Sequence, residues 1–206
     1  MPSTQDSQKV CLRNLLEVHH MMRAQEQREA GISAQTIARA VESGEIERIS
    51  RGIYQKRGAE IEENQILAEA AVRVPKAVVA LVSALAFHGL TDQMPRRIWM
   101  AIGVSEWAPV PSYPPLRMVR FTEPYLRKGI EHHMIAGLNV PVYSVSKTLA
   151  DLVRNPKLVD RSVAVEGLRA ALYQRKATPS AIAQGAKAGG AWKAMQPYIE
   201  ALTSNG

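Results

Sequence analysis

Gln27–Tyr54 reads QREAGISAQTIARAVESGEIERISRGIY, and its punctuation spells a helix, a tight turn, a second helix and a hairpin. Gly31 ends the first helix, because the residue after a helix C-terminus often takes a left-handed backbone that Gly adopts at least cost. Ser33 starts the second helix, its hydroxyl placed to accept from the free N–H groups of the first turn. Within that helix Ile37, Ala40 and Val41 keep the i, i+3, i+4 spacing of an apolar face. Gln35, Arg39 and Glu42 fall opposite, with Thr36 and Ser43 on the flanks. Gly44 closes the helix. Ile46–Glu47–Arg48–Ile49 alternates as a half-buried strand does, Ser50-Arg51-Gly52 is a turn, and Ile53-Tyr54 begins the return strand. The pattern predicts the second half of a helix-turn-helix followed by a two-stranded wing.

A short polar-faced helix and a hairpin with Arg at its tip suit a major groove and a neighbouring phosphate. On this reading Gln35, Thr36 and Arg39 meet base edges, while Ser33 and the first amides of its helix hold a phosphate. Arg48, Arg51 and Tyr54 belong to the wing. The same arrangement also occurs in packing units and protein-binding modules that touch no nucleic acid.

Composition bounds the partners. The chain has 206 residues, 46% of them apolar, a net charge of +7 and a pI near 9.7. That balance favours an anionic partner without naming one. Residues 1–60 carry nine Lys or Arg against eight Asp or Glu, and the remainder seventeen against eleven. If DNA is the partner, the second part contributes to the electrostatics. Cys11 is the sole cysteine, which rules out an intramolecular disulfide and a cysteine-rich zinc site. A polar N-terminus without an apolar core and no run long enough for a bilayer predict a soluble, cytoplasmic protein with no membrane partner.

Upstream of Gln27, Val10, Leu12, Leu15, Leu16 and Val18 predict an amphipathic helix over about Asp6–His19, followed by a shorter one over about Met22–Ala30. Gly58 ends this module. Glu62–Arg73 is helical, with Ile66, Leu67, Ala70 and Val74 on one face and Pro75 as the stop. Lys76–Leu81 is a short strand, and Ser83–Gly89 a short helix capped by Ser83. Four strands are predicted at Ile98–Ile102, Leu116–Phe121, Gly129–Ile135 and Val140–Ser144. Between the first two, Pro109, Pro111, Pro114 and Pro115 indicate an ordered loop or an edge crossing. Gly137-Leu138-Asn139 is the hairpin turn. The end is helical: one helix capped by Ser146, one opened by Asp160 over Arg161–Tyr173, one started by Thr178-Pro179, and a last one over Trp192–Leu202.

Enzyme signatures are lacking. There is no phosphate-binding Gly loop followed by Lys-Ser/Thr, no G-x-S-x-G, no H-E-x-x-H and no Glu-x-Lys. His19-His20 and His132-His133 are adjacent pairs whose side chains diverge on either helix or strand, so neither binds one ion readily. His88 reads as a packed core histidine. Asp151 and Glu166 pair with Lys147, Arg154 or Arg169 one turn away. No catalytic residue, metal or cofactor is expected. Lys147, Arg154, Lys157, Arg161 and Arg169, with Arg175 and Lys176, make either solvated helix faces or an anion-binding face.

The order of parts resembles the AbiEi family of antitoxins from type IV toxin–antitoxin systems. Gly31-Ile32-Ser33 through Arg51-Gly52-Ile53-Tyr54 is similar to that family's winged helix. SALAFHGL (Ser83–Leu90), IWMAI, LRMVRF and especially VPVYSVSKTLADLVR (Val140–Arg154) look like its C-terminal domain. The family often continues the Lys147–Asp151 segment with Cys-Phe-Lys, where this chain has Leu152-Val153-Arg154. The resemblance implies a repressor of its own operon, binding double-stranded DNA at inverted repeats. It also implies an antitoxin that counters a nucleotidyltransferase-like toxin without a stable complex. The reading is therefore an α+β protein of two domains: a winged helix-turn-helix over 1–58, and a mixed domain with a small sheet and a helical end over 59–206. A protein–protein module and a nucleic-acid enzyme are the other classes.

Overall fold

A computed structural model of the chain describes residues 4–18, 21–50, 52–59, 63–108 and 113–204. The fold is α+β and divides into two compact units, residues 1–72 with 133–139, and residues 73–132 with 140–206. Gly58 lies inside the first. Among the described residues, no helix is long and apolar enough to cross a membrane.

The first unit contains α1 (Thr4–Val18), β1 (Met21–Arg23), α2 (Ala24–Glu29), α3 (Ala34–Glu42), β2 (Ile46–Ser50), β3 (Ile53–Lys56) and most of α4 (Gln65–Arg73). The strands form an antiparallel sheet in the order β1-β3-β2. Met22 and Arg23, expected in a helix, are in a strand paired to Tyr54 and Ile53, so the helix starts only at Ala24. Leu12, Leu16, Met22, Ile32, Ile37, Ala40 and Ile46 are buried together, drawn from α1, β1, the α2–α3 turn, α3 and β2. The amphipathic spacing of α1 and α3 is thus what closes this core. In α4 the inward side is Leu67, Ala68, Ala70 and Ala71, while Ile66 is exposed.

The second unit carries β4 (Val78–Val79), α5 (Leu81–Phe87), β5 (Ile98–Gly103), β6 (Leu116–Phe121), α6 (Val145–Arg154), α7 (Arg161–Tyr173), α8 (Pro179–Ala188) and α9 (Trp192–Thr203). With β7 (Ile130–Ile135) and β8 (Leu138–Tyr143) it builds a five-stranded mixed sheet in the order β6-β5-β4-β8-β7. β5 runs parallel to β6 and antiparallel to β4, which in turn runs parallel to β8. The Pro-rich connection leads to β6 at the sheet edge; Pro109 and Pro111 lie outside the described residues.

Helix α6 is the hub, packing against α5, α7, α8 and α9. Every residue from Lys147 to Val153 is buried. Two glycines permit the approaches: a Cβ at Gly185 would stand 2.5 Å from Ser146 Cβ, and one at Gly167 would stand 2.8 Å from Leu85 Cδ1. Two expected caps are replaced. Ser144, not Ser146, accepts the Lys147 N–H at the start of α6. Ser83 lies inside α5 and accepts the Trp99 N–H at 2.9 Å, because α5 leaves β4 directly at Ala80. A buried hydroxyl with a strand amide in reach satisfies both groups at once.

Candidate nucleic-acid interface

Gly31 takes φ +78° between α2 and α3, the left-handed backbone that its position demands. Ser33 Oγ then accepts from Thr36 N at 3.2 Å, the cap read from the sequence. With Ile37 and Ala40 buried, α3 exposes Ala34, Gln35, Ala38, Arg39 and Glu42. Small side chains at Ala34 and Ala38 leave Gln35, Arg39 and Glu42 as the long side chains on this face. This is a thin helix face with three long polar arms, two of them, Gln35 and Arg39, able to donate hydrogen bonds.

The start of α3 is tied to α1 through Gln8, a residue with no sequence signal of its own. Thr36 Oγ1 donates to Gln8 Oε1 at 2.8 Å, and Ser33 N–H donates to the same oxygen at 3.3 Å. Thr36 is half-buried, and its hydroxyl also lies 2.9 Å from Ser33 Oγ. Of the three expected base-contacting residues, Gln35 and Arg39 are exposed, while Thr36 fastens the helix to its neighbour. The Ser33 amide, expected on a phosphate, is occupied in the same way.

On the hairpin, Arg48 is exposed and sits in register with Tyr54. A register shift follows between Arg48 and Ser50, and Gly52 turns the chain at φ +77°. Arg51 lies outside the described residues. Tyr54 is half-buried, part of it packed on the core of the first unit. At the foot of β2, Glu45 binds Lys9 at 2.8 Å and Arg13 at 3.2 Å. The hydrogen bond from Lys9 is the main influence holding its carboxyl below the usual range, with Arg13 adding to it and burial opposing it.

The five C-terminal cations do not form one face. Lys147 is buried, its ammonium 2.6 Å from both oxygens of Asp151 and over the rings of Phe121 and Tyr143. Its place in an anion-binding surface is therefore corrected: the packing around α6 encloses it together with Asp151. Arg154 completes the cluster, 3.3 Å from Asp151, stacked on Tyr125 at 3.9 Å and donating to the Gly189 carbonyl at 3.0 Å. Burial pushes the Lys147 ammonium down and the Asp151 carboxyl up, each opposed by their mutual attraction. Burial, then the Asp151 charge, raises the Tyr143 hydroxyl, which donates to the Leu126 carbonyl. Lys157, Arg161 and Arg169 are exposed.

His88, expected in the core, is half-buried at the C-cap of α5, its Nε2 2.7 Å from the Tyr143 carbonyl. His19 and His20 lie outside the described residues; among those described, no three His, Cys, Asp or Glu residues gather as metal ligands would.

No curated protein sequence is significantly similar to this chain. Among solved structures, the chain is similar in fold to the crystal structure of the RV2827C protein from Mycobacterium tuberculosis. The TM-score is 0.56 at 14% sequence identity, over 99% of this chain and 82% of that one. Residues 22–55, from β1 through β3, match the model of the family described as "Transcriptional regulator, AbiEi antitoxin".

Proposed function

We propose that the first unit is a winged helix-turn-helix that binds double-stranded DNA, with α3 in the major groove and the β2–β3 hairpin as the wing. The observation that carries this reading is the face of α3: Gln35 and Arg39 project beside Ala34 and Ala38 from a helix fixed at its start by Ser33 and Gln8. The family match covers that same segment and supports it. Arg39 is assigned to guanine and Gln35 to adenine, the pairs that guanidinium and amide geometry favour. Arg48 and Arg51 carry the wing to the backbone or minor groove. Thr36 and Tyr54 hold these elements in place.

The protein is then a transcriptional repressor of its own promoter, bound at inverted repeats, and the antitoxin of a type IV system. It counters a nucleotidyltransferase-like toxin without a stable complex and acts in the cytoplasm. The family's description supports the regulator and antitoxin parts of this reading. The test is binding of the full chain to the duplex just upstream of its gene, against a scrambled duplex, across a salt series. Tight binding to the upstream duplex that survives moderate salt is expected, and the salt slope counts the phosphate contacts. Equal, salt-labile binding to both would refute the repressor reading. A toxin gene adjacent to this one, whose growth arrest this protein relieves, tests the antitoxin assignment.

A further inference from the structure

The second unit has a concave site that the DNA reading does not use. A cleft of about 600 Å³ lies between α5, β5, β6 and the start of α7. Its apolar lining is Val82, Leu158 and Val163, with Met94 91% exposed beside them, and its cationic lining is Arg96, Arg97 and Arg117. Asp160 is the carboxylate in the lining, and its Oδ1 already accepts the Ser162 N–H that opens α7. The three guanidiniums are exposed, and none is in an ion pair with a described residue.

Arg117 lies against a ring, and the sheet explains why. The parallel register of β5 and β6 pairs Trp99 with Arg117, so both side chains leave the same face. The guanidinium lies 3.9 Å over the Trp99 ring. Trp99 is itself buried, with its backbone N–H held by Ser83. A stacked guanidinium keeps its N–H edges free for a planar, two-point bond to phosphate and gives up less freedom when it forms one. The cavity size is that of a small-molecule site, in which apolar walls take the body of a ligand and a few polar groups fix its orientation. A concave site suits a compact ligand better than the convex backbone of a duplex.

We propose that this cleft binds a small phosphorylated ligand of nucleotide size, its phosphates on Arg96, Arg97 and Arg117 and its apolar or aromatic body against Val82, Leu158 and Val163. The assignment stands whether or not α3 reads DNA.

Calorimetric titration of the full-length chain tests it, with the four common ribonucleoside triphosphates, the corresponding nucleosides, inorganic phosphate and a short duplex DNA as probes. Saturable one-to-one binding of at least one triphosphate is expected, tighter than its nucleoside or phosphate alone. Arg117→Ala and, separately, Arg97→Ala should each weaken it about tenfold. Arg97 supports no ring, so its variant keeps the test valid if loss of the Trp99 stack unsettles the fold. Binding by none of the triphosphates, or undiminished binding in both folded variants, overturns the proposal. So does inorganic phosphate binding as tightly as any triphosphate, or duplex DNA displacing the bound nucleotide from the same arginines.

Discussion

Replacing Asp151 with Ala would strand an ammonium inside the second unit. Lys147 is 5% exposed at its side chain and Asp151 0%, and both carboxylate oxygens accept from Nζ at 2.6 Å. Breaking a buried pair by removing one partner typically costs about 3–5 kcal/mol, because the remaining charge has no counterion. Phe121 and Tyr143 go on facing the ammonium at 5.0 and 4.6 Å. Each ring contributes about 1 kcal/mol, which places the expected loss near the lower end, about 3 kcal/mol. Lys147→Met is milder, since Asp151 keeps Arg154 at 3.3 Å; about 2 kcal/mol is expected. The apolar double variant Lys147→Met/Asp151→Leu should return to within about 1 kcal/mol of the parent.

The assay is urea unfolding followed by tryptophan fluorescence. Trp99, Trp107 and Trp192 all lie in the second unit, so the signal reports on it alone. With a slope of about 2–3 kcal/mol per molar urea, Asp151→Ala lowers the midpoint by about 1–1.5 M. The variant also gains a pH signature. Without Asp151, burial still depresses the folded pKa of Lys147 while the unfolded chain keeps the ordinary value, so the unfolded state binds more protons between the two. Stability therefore rises with pH across that interval, and the deficit shrinks as the amine is neutralised. A loss below about 1 kcal/mol, or Lys147→Met proving the worse of the two, would refute the reasoning.

Gly185→Ala drives a Cβ to within 2.5 Å of Ser146 Cβ at the α6–α8 contact, and should cost about 1–3 kcal/mol by the same fluorescence assay. Gln8→Ala removes the oxygen that ties α1 to Thr36 and Ser33; about 1 kcal/mol should be lost in unfolding followed by circular dichroism. Glu45→Gln removes two exposed ion pairs, worth under about 1 kcal/mol after solvent screening. Because the Glu45 carboxyl is depressed, that contribution is present above the ordinary carboxyl pKa and is lost as pH falls through the folded one, so parent and variant should converge in acid unfolding. Arg39→Ala should weaken binding to the upstream duplex by about 1–3 kcal/mol and relax the preference at one base position; unchanged affinity would remove α3 as the reading element.

The path from α2 to β3 was legible because its signals are local. Gly31 and Gly52 do adopt positive φ, and Ser33 does cap. What the sequence hid depends on partners far along the chain. Met21–Arg23 is too short to alternate and becomes a strand only by pairing with β3. Ser83 looks like a cap, yet its hydroxyl serves an amide sixteen residues away. The spacing of Lys147 and Asp151 announced their pairing but not their depth, since burial is set by the four helices that surround α6. The cleft arginines come from two separated stretches, and only the register of β5 with β6 shows that Arg117 lies over Trp99.

The Met21 amide, at the outer edge of the three-stranded sheet, donates to the Ala136 carbonyl at 3.1 Å. The first unit is accordingly discontinuous, taking residues 133–139 as its last piece. During synthesis that piece leaves the ribosome only after most of the sheet of the second unit has been made. Until residue 136 has been made, the Met21 amide at that strand edge is without this partner. A fragment cut after residue 72 would keep α3 and the hairpin but lack this closure. The shortest piece carrying a complete N-terminal unit therefore extends through Asn139, well beyond the segment that reads as a self-contained module.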